Sequence, residues 1–497
     1  MSLTSSVNGS HGDPGQPPEQ IWTVRASATP DERAAIEVDL TVVGEIQRAV
    51  NAAMTDHERR TNGAAMTIDA QHQLAMKLIV REIDDRSVAR GMRGQGVMSE
   101  AEEKALRKAV FAAMFGLGHR LEALLDEDLV EDIYINGTRP VIVKLSDGSR
   151  EIRPPVAEST EDLLSQLSQI ATHHGGNNAR TVNSARPWLN LRLPGAARLA
   201  AVWDLTPDPI VTIRRHRHVD VTLERLVAMG TLSASMAAFL HAAVIAGRSI
   251  LVVGGQGSGK TTLLRALCQC IPATTRFASL ETEYELLLHE IPNRFPGLIP
   301  YEARPGTGEL DAAGKPTGEV TLSDIFPESL RHSVELYVFG ETRGREVFAM
   351  MQAMARGSKG ALATMHADSA LAAFDSLATL MAEYKDNWTM AAAMQQIAGS
   401  LDLVVFIDRE EVEDGRNMRY VTEILEVGPI AENGLPAQNW IFQPSDDDHR
   451  REIDPRGYPV GKPVDKLWAR RAGLDLAWLT PEHGQWNSQF PRRWGAE

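Results

Sequence analysis

The sequence predicts an α/β fold: a mainly parallel sheet with helices on both faces, preceded by a smaller α+β domain and a helical N-terminal region. Three observations in the 497-residue chain point to it. From Ser233 onward, short apolar runs alternate with helical patterns, the arrangement of parallel strands joined by crossover helices. One run, Ile250-Leu251-Val252-Val253, leads into Gly254-Gly255-Gln256-Gly257-Ser258-Gly259-Lys260-Thr261, which matches G-x-x-x-x-G-K-[ST] at a strand-to-helix junction. Between about Leu121 and Arg217 the runs alternate in polarity and are broken by tight-turn signals, as hairpins require.

Taken in order, residues 1–30 are rich in Gly, Pro, Ser and Asn and hold too few large apolar residues to offset the entropy of ordering, so they read as a disordered arm. Residues 31–120 read as helical: Ile36, Leu40, Val43, Ile46 and Val50 recur at three- and four-residue spacings, and Ser99 with Glu102 forms a capping box. Residues 121–217 contain DIYIN, PVIVKL before Asp147-Gly148, LNLRL before Pro194-Gly195, RLAAVWDL and IVTIRR, with Ser159 placed to cap a helix. This is the expected α+β domain, and residues 218–230 read as a linker. The α/β domain is expected over 231–427, with a helix from Ser233 to Gly247 and strands at SILVV, FASLE, ELYVFGE, ALATMHA and LDLVVFI. MRYVTEILEV, after Asp414-Gly415, reads as a hairpin continuation. Residues 428–497 are polar, carry Pro and Trp, and are expected to form a C-terminal tail of unassigned role, with KLWARRAGLDLAWL as a short amphipathic helix.

The glycine loop carries the most specific chemistry. Glycines let backbone N–H groups turn inward around phosphate oxygens, and the following helix adds its N-terminal dipole. Lys260 is placed to neutralise the β- and γ-phosphates, and the Thr261 hydroxyl to ligate Mg²⁺, with Thr262 beside it in the first turn. Hydrolysis also needs an acid that orients water toward the γ-phosphate. Glu341 fits, because the apolar run Leu336-Tyr337-Val338-Phe339-Gly340 would deliver it to the sheet edge where the phosphates lie. Arg343, two residues on, is a candidate phosphate contact. The segments Leu280-Glu281-Thr282-Glu283-Tyr284-Glu285 and Ala363-Thr364-Met365-His366-Ala367 also end strands of this sheet; by spacing alone the first is equally readable as a solvated loop and His366 as a packed or partly exposed structural residue. Met350, Met351 and Met354 read more simply as helix core packing than as a docking surface.

Composition narrows the function classes. With 51 basic and 66 acidic residues the formal net charge is −15, which offers no broad positive field for nucleic acid, so bulk nucleic-acid binding is not expected. No apolar run approaches the ~20 residues of a membrane span. The first residues lack the basic start and apolar stretch of a secretory signal, and the two cysteines, Cys268 and Cys270, exclude a disulfide framework. A cytoplasmic location is the expectation.

These residues resemble the type II/type IV secretion ATPases, and within them the branch that powers Tad pili (CpaF-type). The resemblance spans roughly Leu121 to Val427. It rests on EDIYINGTRPVIV, TIRR followed by LERLV, GGQGSGKTTLL, GEV-T-L-S-D at 318 to 324, GETRG, MMQAM and ALATMHADS. It implies a RecA-like P-loop core that binds ATP and Mg²⁺. Glu281 and Glu285 correspond to the acidic box that handles Mg²⁺ (Glu281 through water), Glu341 to the water-activating glutamate and His366 to the γ-phosphate-sensing histidine. Arg214, with Arg198 second, corresponds to the N-terminal-domain arginines that reach nucleotide. The resemblance further implies a homo-oligomeric ring, usually hexameric, closing about a hinge near Val219 to Gly230 and acting on an inner-membrane platform protein from the cytoplasmic side. Two departures stand out: Thr282 and Glu283 replace the usual acidic-box Asp, and His332-Ser333-Val334-Glu335 replaces the usual Arg-Pro-Asp. Three readings follow: a motor for pilus assembly or protein secretion, a conjugation-type ATPase supporting DNA transfer, and a nucleotide-gated ring that barely hydrolyses ATP.

Overall fold

The computed structural model describes residues 39–60, 68–146, 148–174, 187–193, 197–215, 221–304, 306, 314, 316–356, 359–385, 388–413 and 416–491. The arm expected over 1–30 lies outside them, as do residues 218–220 of the expected hinge. The chain divides into two compact units, residues 1–111 and 112–497. In the first, α1 (Leu40–Arg60) and α2 (Ile68–Met92) bury Val43, Ile46 and Val50, and Ala75, Ile79 and Ile83, at helical spacing. Arg86 of α2 pairs with Glu45 of α1 at 2.9 Å. The capping box read at Ser99 and Glu102 opens α3 (Glu100–Phe115): the Ser99 N–H donates to Glu102 Oε2 at 2.7 Å, and the Glu102 N–H donates back to Ser99 Oγ at 3.2 Å.

The second unit begins within α3, so the boundary expected at residue 120 falls inside α4 (His119–Asp126) instead. The reason is packing: Leu121 and Leu124 of α4 belong to the core of the first sheet. That sheet comprises β1 (Val130–Asn136), β2 (Val141–Leu145), β3 (Arg150–Arg153), β4 (Trp188–Leu193), β5 (Ala197–Val202) and β6 (Ile210–Arg215), with α5 (Thr160–His174) between β3 and β4. All its pairings are antiparallel, in the order β3-β2-β1-β6-β5-β4. Alternation sends Ile133, Val143, Leu191, Leu199 and Ile213 into the core with Leu163, Leu167 and Ile170 of α5. The other face carries a transverse charged row, because register sets Arg192 opposite Arg198, Arg198 opposite Arg214, Arg214 opposite Asp132, and Asp132 opposite Lys144.

The α/β domain follows with α6 (Leu223–Ala228), α7 (Ala234–Ile245), β7 (Ile250–Gly254), α8 (Lys260–Gln269), β8 (Phe277–Glu281), β9 (Leu298–Glu302), α9 (Leu322–Ser329), β10 (Leu336–Thr342), α10 (Val347–Arg356), β11 (Ala361–His366), α11 (Ala372–Tyr384), α12 (Met390–Ser400) and β12 (Leu403–Glu411). It ends with β13 (Asn417–Ile430), β14 (Pro436–Gln443), α13 (Asp448–Ile453), β15 (Tyr458–Pro459) and α14 (Lys466–Arg471). The described strands order as β15-β14-β13-β12-β7-β11-β10-β8-β9, parallel from β12 to β9 and antiparallel beyond β12. Both faces of the parallel part are covered, which is why its strands read as unbroken apolar runs. Ile250 and Val252 of β7 pack with α6, α7 and α8, while Leu251 and Val253 pack with α9 to α12. Met350, Met351 and Met354 are buried in that second core.

Two expected boundaries are corrected by packing. Val221, Leu223 and Leu226 lie in the α/β core, so the described part of the expected hinge is built into the domain. The tail expected from residue 428 is part of the domain as well: 428 falls inside β13, β14 and β15 widen the sheet, and Ile441, Phe442, Trp468, Leu474 and Leu479 enter the core. The helix read across KLWARRAGLDLAWL breaks at Gly473, where φ is +85°, into α14 and a 3₁₀ turn at Leu476–Leu479.

Candidate active site

The glycine loop joins the central strand β7 to α8. Gly257 (φ +73°) and Gly259 (φ +102°) occupy the left-handed region that a side chain disfavours, and this bends the loop back onto the helix N-terminus. Gly255, Gln256 and Gly257 form an exposed crest; Gly254, Ser258 and Lys260 lie buried beneath it, and Thr261 and Thr262 are half-buried in the first helical turn. No side chain caps α8, so its leading N–H groups remain available to an anion. Lys260 Nζ donates to the carbonyls of Gly254 at 3.1 Å and Gly255 at 2.8 Å. Burial pulls its pKa below the ordinary lysine value, against the opposing charges of Glu341 and Glu285.

Strand order then assembles a second group. β11 lies between β7 and β10, so His366 at its end reaches both neighbours. Its Nδ1 is 3.3 Å from Lys260 Nζ and its Nε2 is 3.0 Å from Glu341 Oε1. Because an ammonium only donates, Nδ1 accepts and Nε2–H donates to the carboxylate, which fixes the neutral tautomer. Lys260, His366 and Glu341 therefore form a continuous hydrogen-bonded array along the ends of three adjacent strands. Arg343 stands outside it: its Nη1 is 3.8 Å from Glu341 Oε2 and its backbone N–H donates to Glu346.

The acidic segment after β8 departs from expectation. Glu281 is only 2% exposed, and its Oε2 accepts the N–H groups of Glu285 and Leu286, both at 2.8 Å. Arg265 of α8 donates to the carbonyl of Leu286 at 3.1 Å and to that of Glu285. The loop's backbone is thus clamped from two sides, and Glu281 buttresses it instead of facing an ion through water. Burial pushes the Glu281 carboxyl up to about 7, against those two backbone hydrogen bonds. Glu285 and Glu283 point the other way and grip the N-terminal sheet: Arg198 Nη1 is 2.5 Å from Glu285 and Nη2 is 2.7 Å from Glu283. Thr282, in the place of the usual acid, is exposed.

The two arginines expected to reach nucleotide have different partners. Arg214 Nε donates to Asp132 Oδ1 at 2.8 Å within its own sheet, while Arg198 is the one that reaches the α/β domain. Asp132 is 1% exposed and also meets Lys144 at 3.4 Å and the Tyr134 hydroxyl at 3.1 Å. Burial raises its pKa, but the hydrogen bond and charge of Arg214, with Lys144, outweigh this and hold it below the ordinary range. Arg192, in the same row, pairs with Glu290 and lies 3.4 Å from His289.

Three arginines were not anticipated. Arg265 was hidden as one charge in an apolar helix, and its burial among Leu residues is the signal that betrays it. Arg409 and Arg419 face each other across β12 and β13, a pairing that counting outward from a two-residue Asp414-Gly415 turn misses by one residue. Arg419 Nε donates to the Gly257 carbonyl at 3.0 Å, and a Cβ on Gly257 would meet Arg409 Nη1 at 3.0 Å.

The residues present fit Mg²⁺. The donors at hand are oxygens: the Thr261 hydroxyl, the half-buried Glu341 carboxylate and Ser258 Oγ, which is buried in the loop with no hydrogen-bond partner. Among the described residues no three His, Cys, Asp or Glu side chains are grouped to hold a metal.

The sequence profile of type II/IV secretion system proteins matches residues 119–416. The type IV secretion system protein PtlH of Bordetella pertussis is 30% identical over 308 residues, covering 56% of this chain and 85% of that one. VirB11 of Bartonella quintana, also a type IV secretion system protein, is 25% identical over 299 residues, covering 53% and 79%. Among solved structures, the ATPase DotB of Legionella pneumophila aligns with 63% of this chain and 80% of its own, at 18% identity and a TM-score of 0.44. By the profile match and the PtlH similarity, the chain belongs to the type II/IV secretion system protein family.

Proposed function

We propose that this chain is an ATP-hydrolysing ring motor that drives pilus assembly or protein secretion through a membrane platform, nearest to the Tad-pilus branch of its family. The observation that carries the reading is the Lys260–His366–Glu341 array, which links the phosphate-binding lysine to a water-activating carboxylate at 3.3 and 3.0 Å. Lys260 would move from the Gly254 and Gly255 carbonyls to the incoming phosphates. His366 donates through Nε2–H and holds Glu341 aimed, so that its other oxygen can take a proton from the attacking water. Thr261, with Glu341 nearby, would hold Mg²⁺, which would supply charge neutralisation at the phosphates. Arg198 would leave Glu283 and Glu285 for the γ-phosphate, converting nucleotide chemistry into movement of the N-terminal sheet.

Among the described residues no helix is long and apolar enough to cross a membrane, which supports an assignment to the cytoplasmic side, with force passed to an inner-membrane platform by a homo-oligomer, in this reading a hexamer. The net charge of −15 favours a protein cargo over direct DNA handling. The test is Mg²⁺-dependent phosphate release by wild type beside Glu341→Gln. Turnover by the wild type, falling by about 100-fold or more in a variant that still binds ATP, supports the motor. ATP binding without release by either protein, with or without lipid, would replace it with a nucleotide-gated ring.

A further inference from the structure

We propose that Arg419, paired with Arg409 on the β12–β13 hairpin, is a positioning residue that sets the phosphate loop for nucleotide, an inference that rests on the ATPase reading. The loop's crest is exposed, yet its peptides must present N–H groups inward. Lys260 holds the carbonyls of Gly254 and Gly255. Arg419 holds that of Gly257 at 3.0 Å. In a trans peptide the carbonyl and the following N–H point in opposite directions, so fixing the Gly257 carbonyl on the hairpin turns the Ser258 N–H away from it, into the loop. There the Ser258 N–H makes only a long 3.4 Å bond to the Gly255 carbonyl, one that an anion can displace.

Charge supports the same conclusion. Arg409 and Arg419 are directly opposed across the strands, and among the described residues no carboxylate forms an ion pair with either guanidinium. Burial holds the Arg419 pKa below the ordinary arginine value, opposed by the charge of Glu131 on the N-terminal sheet and reinforced by the positive charges of Arg409 and Arg214. In a chain of net charge −15, two adjacent unpaired guanidinium groups at a phosphate loop are a local excess that an anionic ligand relieves. The hairpin that presents them is rigid. The Tyr420 hydroxyl donates to Glu410 across the strands at 2.9 Å, and Phe490, close to the C-terminus, stacks edge-on against Tyr420 at 5.1 Å. This gives the C-terminal segment a part in the site: it braces the strand that carries Arg419.

The experiment compares binding of a fluorescent ATP analogue and ATP turnover in wild type, Arg419→Ala, Arg419→Lys, Arg409→Ala and Lys260→Ala, with thermal midpoints as a folding control. For Arg419→Ala the expectation is binding weakened by about tenfold, a loss of one charge-assisted hydrogen bond. Most of the loss should appear in KM, with an unchanged thermal midpoint and a shallower dependence of KM on salt. Arg419→Lys restores the salt dependence but not the full affinity, because the ammonium lacks the Nε–H that meets Gly257. Arg409→Ala weakens binding less than Arg419→Ala. If the wild type binds ATP and Lys260→Ala does not, yet Arg419→Ala matches the wild type within twofold, this inference fails alone. If wild type and Lys260→Ala bind equally well, or neither binds, the ATPase reading fails first. An Arg419→Ala loss matched by a lowered thermal midpoint also overturns the proposal, since the arginine then acts on folding.

Discussion

The phosphate loop draws its groups from one short stretch, Gly254 to Thr261, whereas the charged row of the N-terminal sheet gathers Arg192, Arg198, Arg214, Asp132 and Lys144 from five strands. In the first, local backbone conformation does the placing, so residue order along the chain is also order in space. In the second, placement is done by register, and a slip of one residue in any pairing would turn that strand's charge into the apolar core under α5. The loop therefore leans on few groups from elsewhere, Arg419 among them, while the row depends on the whole sheet. The difference also divides roles: Arg192 and Arg198 are the groups of the row that span to the α/β domain, and the loop is what Arg198 would report on.

The largest test of this contrast removes a region far from either in sequence. A chain ending at Val427 keeps every residue of the phosphate loop and of the row, but it loses β14, β15 and α14. Ile441, Phe442, Trp468, Leu474 and Leu479 would leave the core. Each large apolar side chain lost from a core costs about 2–5 kcal/mol, so five of them together match or exceed the ~5–15 kcal/mol that stabilises a typical domain. Expression of this truncation should yield insoluble or unfolded protein by circular dichroism. A soluble, ATP-binding truncation would show instead that residues past 427 are an appendage, as their composition suggests.

The next test addresses the clamp between the loop helix and the acidic segment. The folded pKa of Glu281 is about 7, above its ordinary value near 4.5, so its contribution to stability is fully present below pH 4.5 and is lost as pH rises through 7. Glu281→Gln keeps an oxygen to accept the Glu285 and Leu286 N–H groups but carries no charge to desolvate. The wild type should match the variant near pH 5 and fall behind by about 3 kcal/mol at pH 8. Urea midpoints at the two pH values read this directly, and parallel behaviour of the two proteins would remove burial as the controlling effect.

How much was legible follows the same division. The strands and helices around the loop could be read because burial on both faces makes each strand a bounded apolar run, and the motif names its own neighbours. Glu341 and His366 were readable as strand-end residues, but that His366 touches both Lys260 and Glu341 follows from β11 lying between β7 and β10, an order that no local pattern encodes. Glu281 was misjudged because a carboxylate in an acidic stretch gives no sign of whether it is solvated or buried against backbone N–H groups. The final strands escaped because β14 and β15 pair antiparallel at the sheet's edge with polar outer faces, and their composition resembles a loop.

The finest comparison is within the row itself, between two arginines that sit opposite each other in register. Arg214→Ala leaves Asp132 buried with only Lys144 and Tyr134. Because Arg214 is itself half-exposed, the cost should be about 2 kcal/mol, less than for a fully buried pair, and visible as a lower thermal midpoint. Arg198→Ala removes a fork held between Glu283 and Glu285 on a partly solvated surface, where ion pairs contribute little to folding, so its midpoint should move by less than about 1 kcal/mol equivalent. Its effect should fall on turnover, with kcat reduced about 10- to 100-fold if the guanidinium meets the γ-phosphate in the transition state. The two variants should thus separate cleanly, one in stability and the other in kcat. If Arg214→Ala loses turnover at an unchanged midpoint while Arg198→Ala keeps it, the arginine in the nucleotide-bound state is the one the sequence favoured, and the Arg198 bridge belongs only to the resting arrangement.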